Sequence, residues 1–500
     1  MSLTDFRKLK QLKSLPRYIL LELKNIEKID KLRKATAHFN WKNIFIILLA
    51  SVISVFFSLW LKSLGLAQET TYMGGIFMLS IILWSTEALP LFATAILIIF
   101  LEIIFLANPG DWAMLGFQNG DSPKYQSILS SFADPIIFLF LGGFILSQAI
   151  VKQGVDQKFA GILLKLFGTK PISVILGLMI VTAFLSMWMS NTATTAMMIT
   201  LTIPLIAQIP NLDSLKKGLL LSIPIAANIG GMATPIGTPP NAVAIGFLKT
   251  KGIDIGFIDW MLVATPLMLI LLFFSWILLW NLYKPKKLAE EVRFLLPENK
   301  KITKGGILVI VVFIITVLLW LTEKIHNIPS AVVALIPAVI FTAMGLTDRN
   351  DINSLDWNIL LLIAGGIALG NGMQITHFSD FLIQNLPTSS SMIIILLGFA
   401  TLGLSIIMSN TAAANIILPI AVGIAITLGG DKEASIVGVI IALSASLAMA
   451  LPISTPPNAI AYSKGILKTS DFVKTGLIIG IVGLGIVLTT TRFLIEFWMK

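Results

Sequence analysis

Residues 185–193 read LSMWMSNTA and residues 404–412 read LSIIMSNTA, so seven of nine positions agree at an offset of 219. A second pair follows in the same order. Residues 234–244 read TPIGTPPNAVA and residues 451–461 read LPISTPPNAIA, eight of eleven identical at an offset of 217. Gly142-Gly143 and Gly365-Gly366 repeat at 223, and Pro204 and Pro419 at 215. Unrelated apolar segments share scattered Leu and Ile matches, not two polar motifs at a nearly constant spacing. The chain is an internal duplication with Ser-Asn-Thr and Thr-Pro-Pro-Asn as its fixed points.

Around these motifs the sequence is apolar. Of 500 residues, 56% are hydrophobic and 12% charged, against about 25% charged in a soluble domain. Such a chain cannot coat a water-facing surface, which argues against a soluble enzyme, a nucleic-acid binder and a disordered scaffold. The apolar runs are long enough for membrane helices and do not alternate as barrel strands do. Spans are expected at 43–65, 72–106 (two, broken around Glu87 and Pro90), 134–152, 171–209, 215–247, 258–282, 305–322, 328–346, 357–375, 391–428, 434–463 and 472–498. The expected fold class is an all-α polytopic membrane protein of about 11 transmembrane helices plus two re-entrant hairpins whose tips are Ser190-Asn191-Thr192 and Ser409-Asn410-Thr411.

Each unit then crosses the membrane an odd number of times, which sets its successor upside down and makes the repeats inverted. The net charge of +10 is concentrated: residues 1–42 hold 11 Lys/Arg and 4 Asp/Glu, and 284–304 hold 7 and 3. Basic segments beside apolar runs mark the cytoplasmic side. The expected organisation is a basic amphipathic cytoplasmic segment at 1–42, a first span at 43–66, inverted repeat 1 at 67–283, a cytoplasmic basic linker at 284–304 and inverted repeat 2 at 305–500. The protein would lie in the cell membrane, amino terminus inside and carboxyl terminus outside. Lipid headgroups explain the basic balance better than nucleic acid does.

Inverted repeats with interrupted helices are the pattern of secondary transporters that bind near the bilayer midplane. Ser, Asn and Thr cap helix starts, so each tip opens a half-helix whose free N–H groups and positive dipole end suit an anion. Ser and Asn oxygens, with carbonyls freed ahead of Pro239-Pro240 and Pro456-Pro457, suit a hard cation such as Na⁺. Residues 171–212, 218–248, 388–430 and 434–463 contain no Asp, Glu, Lys or Arg. An anion held there is bound by dipoles, amides, hydroxyls and co-bound cations. Two symmetry-related poles fit a molecule with two carboxylates. Glu87 reads first as a residue at an interface or span break, with a proton relay the lesser reading, and Glu323 and His377 read as span-end residues. There is no cysteine, and His38, His326 and His377 lack metal-ligand spacing. With no base beside Ser190 or Ser409, the chain is expected not to be an enzyme and to hold no tightly bound cofactor.

The doubled Ser-Asn-Thr, each followed by Thr-Pro-Pro-Asn, together with Trp84-Ser85-Thr86-Glu87-Ala88-Leu89-Pro90, resembles the divalent anion:sodium symporter family over residues 43–498. The resemblance implies a secondary active carrier of succinate, malate, fumarate or 2-oxoglutarate, with citrate a lower-ranked reading. It implies a homodimer, each protomer moving a transport domain elevator-fashion against a scaffold. Carried over by motif, the substrate carboxylates would meet Asn191, Thr192, Asn410 and Thr411, with Thr238, Pro239, Thr455 and Pro456 nearby. One Na⁺ site would use Ser186, Ser190, Asn191 and Gly237. The other would use Ser405, Met408, Asn410 and Ser454, where Ser454 replaces the smaller residue common in the family. The family holds both Na⁺-coupled symporters and Na⁺-independent dicarboxylate exchangers. Symport is the first reading and exchange the alternative.

Overall fold

The computed structural model describes residues 41–498 apart from 113–114, 118–119, 286–293, 295–301 and 385–389. The basic amphipathic segment and most of the basic linker therefore lie outside the described residues. Contacts divide the chain into two units, Met1–Leu49 and Ala50–Lys500, and both motif pairs belong to the second. Among the described residues there is helix and no strand.

The first helices are α1 (Trp41–Ser63), α2 (Gln68–Thr86) and α3 (Leu91–Glu102), the last extended by a π turn at Ile103–Ala107. The break between α2 and α3 falls at Glu87, which ends α2 in a left-handed conformation (φ 49°), and at Pro90, which cannot continue a helix. α4 (Pro135–Lys152) starts at a proline and is capped by Asp134, whose carboxylate accepts the Ile136 N–H at 2.9 Å. α5 (Val155–Leu166) leads to α6 (Pro171–Ser186) and α7 (Asn191–Ala207), then α8 (Asp213–Gly231), α9 (Pro239–Thr250) and α10 (Phe257–Tyr283).

The second half opens with α11 (Lys304–Leu321), a turn at Ser330–Val333, α12 (Leu335–Ala343) and α13 (Trp357–Ile375). α14 (Phe378–Gln384), α15 (Ser390–Ile407), α16 (Asn410–Ser446), α17 (Pro456–Tyr462) and α18 (Thr469–Trp498) complete it. α16 is two helices joined at Gly429-Gly430, where the backbone leaves helical geometry and Gly430 takes a positive φ of 68°.

Seven helices among the described residues are long and apolar enough to cross a membrane, and apolar helices of 10–17 residues occur at Leu91–Ala107, Pro171–Ser186, Asn191–Ala207, Ser330–Ala343 and Met392–Ile407. The sequence expectation of about 11 spans counted several of these shorter pieces as crossings. The π turn, the prolines and the Ser-Asn-Thr breaks divide the long runs. The outward face of α10 (Leu269, Ile270, Phe273, Ile277) is exposed and wholly apolar, as a lipid-facing surface is. By contrast α8, α9 and α16 are buried along most of their length, so their polar residues serve one another or a cavity. The chain is an all-α polytopic membrane protein.

Helices from the two halves interleave at the centre. α9 packs along α16 and α13, while α17 packs on α7 and α8. Each Thr-Pro-Pro-Asn motif therefore sits against helices of the other half, which places all four motifs around one space.

Candidate functional site

α6 stops at Ser186 and α7 restarts at Asn191 because Ser190 caps the new helix, its hydroxyl accepting the Ala193 N–H at 3.2 Å. The Ser186 hydroxyl lies 2.6 Å from the Asn191 amide and donates to the Ala227 carbonyl on α8 at 2.8 Å. Turned so that its nitrogen faces these oxygens, the Asn191 amide reaches Ala227 O at 3.1 Å, Ser186 Oγ at 2.6 Å and Gly237 O at 3.3 Å. The close approach needs Gly231: a Cβ there would fall 2.5 Å from Asn191 Oδ1. The same bonds recur in the other half. Ser405 Oγ contacts Asn410 Oδ1 at 2.8 Å and donates to the Ala445 carbonyl at 2.8 Å. The duplication read from the sequence thus extends to individual hydrogen bonds.

The unwound segments are held by the asparagine of each Thr-Pro-Pro-Asn. Asn241 Nδ2 donates to the carbonyls of Gly231 (3.1 Å), Met232 (3.2 Å) and Thr234 (2.8 Å). Asn458 Nδ2 donates to those of Met449 and Leu451, both at 2.9 Å. An amide donor here replaces the helical partners that the following Pro-Pro cannot supply. The prolines occupy the first turns of α9 and α17, with Thr238 and Thr455 as their caps. The hydroxyl of Thr234 donates to the Met187 carbonyl, tying the first loop to the first tip. Ser454 Oγ does the same for the second, donating to Ile406 O at 3.0 Å and accepting Leu451 N–H at 3.2 Å.

These elements enclose one cavity of about 1160 Å³. Ser190, Asn191, Thr192, Gly237, Thr238 and Pro239 line it from the first half, and Met408, Asn410, Thr411, Ser454, Thr455 and Pro456 from the second. Ser186 and Ser405 stand behind the wall, fully buried, supporting the two asparagines. Every residue singled out in the motifs is therefore either on this cavity or bonded to a residue that is. The first four amides of a helix have no intrahelical partner, so α7 and α16 both begin at the cavity with free N–H groups and a positive dipole end. The charged side chains on the lining are Glu87 and Asp356, and none of the described residues that line it is Lys, Arg or His.

Two features escaped the sequence reading. Asn228, on α8, lines the cavity and donates across the halves to Thr455 Oγ1 at 3.2 Å. It sits in an apolar run with no polar twin asparagine, so nothing local marked it. The second feature is an asymmetry at equivalent positions. Trp188 and Ile236 are 7% and 6% exposed, whereas their twins Ile407 and Ile453 are 77% and 80% exposed on the cavity. Trp188 is packed in an aromatic cluster with Phe257, Trp320 and Phe313, Phe257 and Trp320 stacking at 4.8 Å.

Comparison with known proteins agrees with this architecture. An uncharacterised transporter of Haemophilus influenzae is 33% identical over 445 residues, covering 84% of this chain and 90% of its own. A sodium-dependent dicarboxylate transporter of Staphylococcus saprophyticus is 28% identical over 465 residues, covering 84% and 86%. Among solved structures, the Neisseria gonorrhoeae antimetabolite efflux pump MtrF shares the fold at a TM-score of 0.53 and 11% identity, covering 83% of this chain and 96% of that one. The family model described as the sodium:sulfate symporter transmembrane region matches residues 38–499. The chain belongs to that family of membrane transporters, the divalent anion:sodium symporters to which its doubled motifs pointed.

Proposed function

We propose that the protein is a secondary active transporter of C4 and C5 dicarboxylates, coupled to Na⁺. The observation that carries this reading is the pair of Ser-Asn-Thr helix starts facing one cavity whose lining has no cationic side chain. A substrate with a carboxylate at each end meets Asn191 and Thr192 at one pole and Asn410 and Thr411 at the other, with Thr238-Pro239 and Thr455-Pro456 beside them. Two negative charges cannot enter hydrocarbon uncompensated without a cost of many kcal/mol, and co-transported Na⁺ supplies that compensation in this reading.

Around Asn191 the oxygens of Ser186, Ala227 and Gly237 converge on the amide position. That is an oxygen-only neighbourhood, relieved either by the amide nitrogen or by a hard cation. It supports a Na⁺ site at Ser186, Ser190, Asn191 and Gly237. The matching set at Ser405, Met408, Asn410 and Ser454 supports a second, although the Ser454 hydroxyl is already engaged on both sides. The two halves act as inverted repeats spanning about 67–283 and 305–500 by the sequence duplication. The carrier works elevator-fashion as a homodimer, its amino terminus cytoplasmic and its carboxyl terminus outside.

The test is uptake of radiolabelled succinate into proteoliposomes under an inward Na⁺ gradient, with and without unlabelled dicarboxylate inside. Na⁺-dependent uptake into empty vesicles is the expected result. Uptake that ignores Na⁺ and requires internal dicarboxylate would make the protein an exchanger and remove the cation sites. A carrier that takes up sulfate and not succinate would overturn the two-pole substrate.

A further inference from the structure

A chain of hydrogen bonds fixes the direction of one hydroxyl in the cavity. Asn458 Nδ2 is committed to the Met449 and Leu451 carbonyls, so Asn458 Oδ1 is the acceptor that faces Asn228. Asn228 must then present its amide nitrogen, which lies 3.5 Å from Asn458 Oδ1 and 3.2 Å from Thr455 Oγ1. Thr455 Oγ1 also accepts the Asn458 N–H at 3.3 Å as a helix cap. A hydroxyl oxygen has two acceptor lone pairs and one proton. With both lone pairs used, the Thr455 proton points away from both partners, and among the described residues it meets no acceptor. Thr455 is 3% exposed and what it exposes is on the cavity.

The first half lacks this device. The equivalence of Ala227 with Ala445 makes Ser446 the twin of Asn228, and the Ser446 hydroxyl is spent on Ala442 O within its own helix. Accordingly Asn241 Oδ1, the twin of Asn458 Oδ1, is buried without a donor among the described residues. Thr238 makes no side-chain cap bond, and with no partner among the described residues its hydroxyl can donate or accept.

We propose that Asn228 is a positioning residue that holds the Thr455 hydroxyl as a dedicated hydrogen-bond donor to the substrate anion, making the two half-sites unequal. The Thr455 pole takes an ionised carboxylate. The Thr238 pole takes a carboxylate or a group that donates, such as a hydroxyl or a protonated acid. This assignment rests on the dicarboxylate reading above.

The test is a double-mutant cycle on succinate uptake in proteoliposomes with saturating Na⁺: wild type, Asn228→Ala, Thr455→Val and the double variant. One hydrogen bond to an anion corresponds to about a tenfold change. Asn228→Ala and Thr455→Val are each expected to raise KM about tenfold with little change in maximal rate, and the double variant to be no worse than Thr455→Val. Asn228→Asp replaces the donor by an acceptor and draws the Thr455 proton inward. Its KM relative to wild type should exceed that of Asn228→Ala and recover as the pH falls and the new carboxyl regains a proton. That recovery also decides the matter if Asn228→Ala does not fold. Additive effects in the double variant, or an Asn228→Asp phenotype that ignores pH, would overturn the assignment alone. Wild-type vesicles that take up no dicarboxylate would overturn the substrate reading and this assignment with it.

Discussion

Ser186 and Ser405 touch no solvent, yet each holds the asparagine of a Ser-Asn-Thr tip and a carbonyl of the facing helix. A hydroxyl so placed is a support whether or not a cation binds, so its removal separates the two roles. Loss of one partner of a buried hydrogen bond costs about 1–3 kcal/mol, which a melting curve in detergent registers. If the Ser186 oxygen also ligates Na⁺, Ser186→Ala should raise the Na⁺ concentration for half-maximal succinate uptake at least about tenfold. The succinate KM at saturating Na⁺ should move far less. An unchanged Na⁺ dependence would leave Ser186 a support and no more. At this scale the site was legible where polar residues repeat in an apolar background, as Asn191 and Asn410 do. Asn228 was not legible, because its significance lies in a bond to Thr455 across 227 residues of chain, and no periodicity records that.

The paired glycines show how helices are fitted around the cavity. Gly142 on α4 packs against the backbone of Ala334, and Gly365 on α13 against Ala95 of α3, where a Cβ would fall 2.6 Å from the Ala95 Cα. The second glycine of each pair faces the motif elements: a Cβ on Gly143 would fall 3.3 Å from Ile236 Cδ1, and one on Gly366 would run into Asn415, just beyond the second tip. Backbone cannot retreat as a side-chain end can, so overpacking there costs about 1–3 kcal/mol or more. Gly142→Val and Gly365→Val should therefore lower the melting temperature in detergent and the yield of folded protein. Gly403→Ala, at a helical glycine with nothing within 4 Å, should be neutral or slightly stabilising. Equal melting temperatures for the three variants would show that these close approaches are absent in the folded protein. The glycine pairs were visible in the sequence as a repeat, and so was the break at Pro90. The π turn at Ile103–Ala107 was not, since π hydrogen bonding leaves no mark on an unbroken apolar run.

For the molecule as a whole, the two halves carry equivalent residues in unequal surroundings. Beside the first tip Trp188 is packed among Phe257, Trp320 and Phe313, while beside the second Ile407 and Ile453 are open to the cavity. If the halves are inverted repeats of an alternating carrier, as proposed, twins of opposite exposure are expected with the cavity open on one side. The opposite state would exchange them, burying Ile407 and Ile453 and exposing Ile236. Because the chain has no cysteine, single cysteines report this without background. Ile407→Cys and Ile453→Cys should react with a membrane-impermeant thiol reagent added on one side of proteoliposomes and be spared from the other. Ile236→Cys should be protected in that state and should gain reactivity from the opposite side when Na⁺ and succinate set the carrier cycling. Reactivity of all three positions from both faces at once, unaffected by substrate, would describe an open pore. It would remove the alternating mechanism while leaving the fold and the family in place.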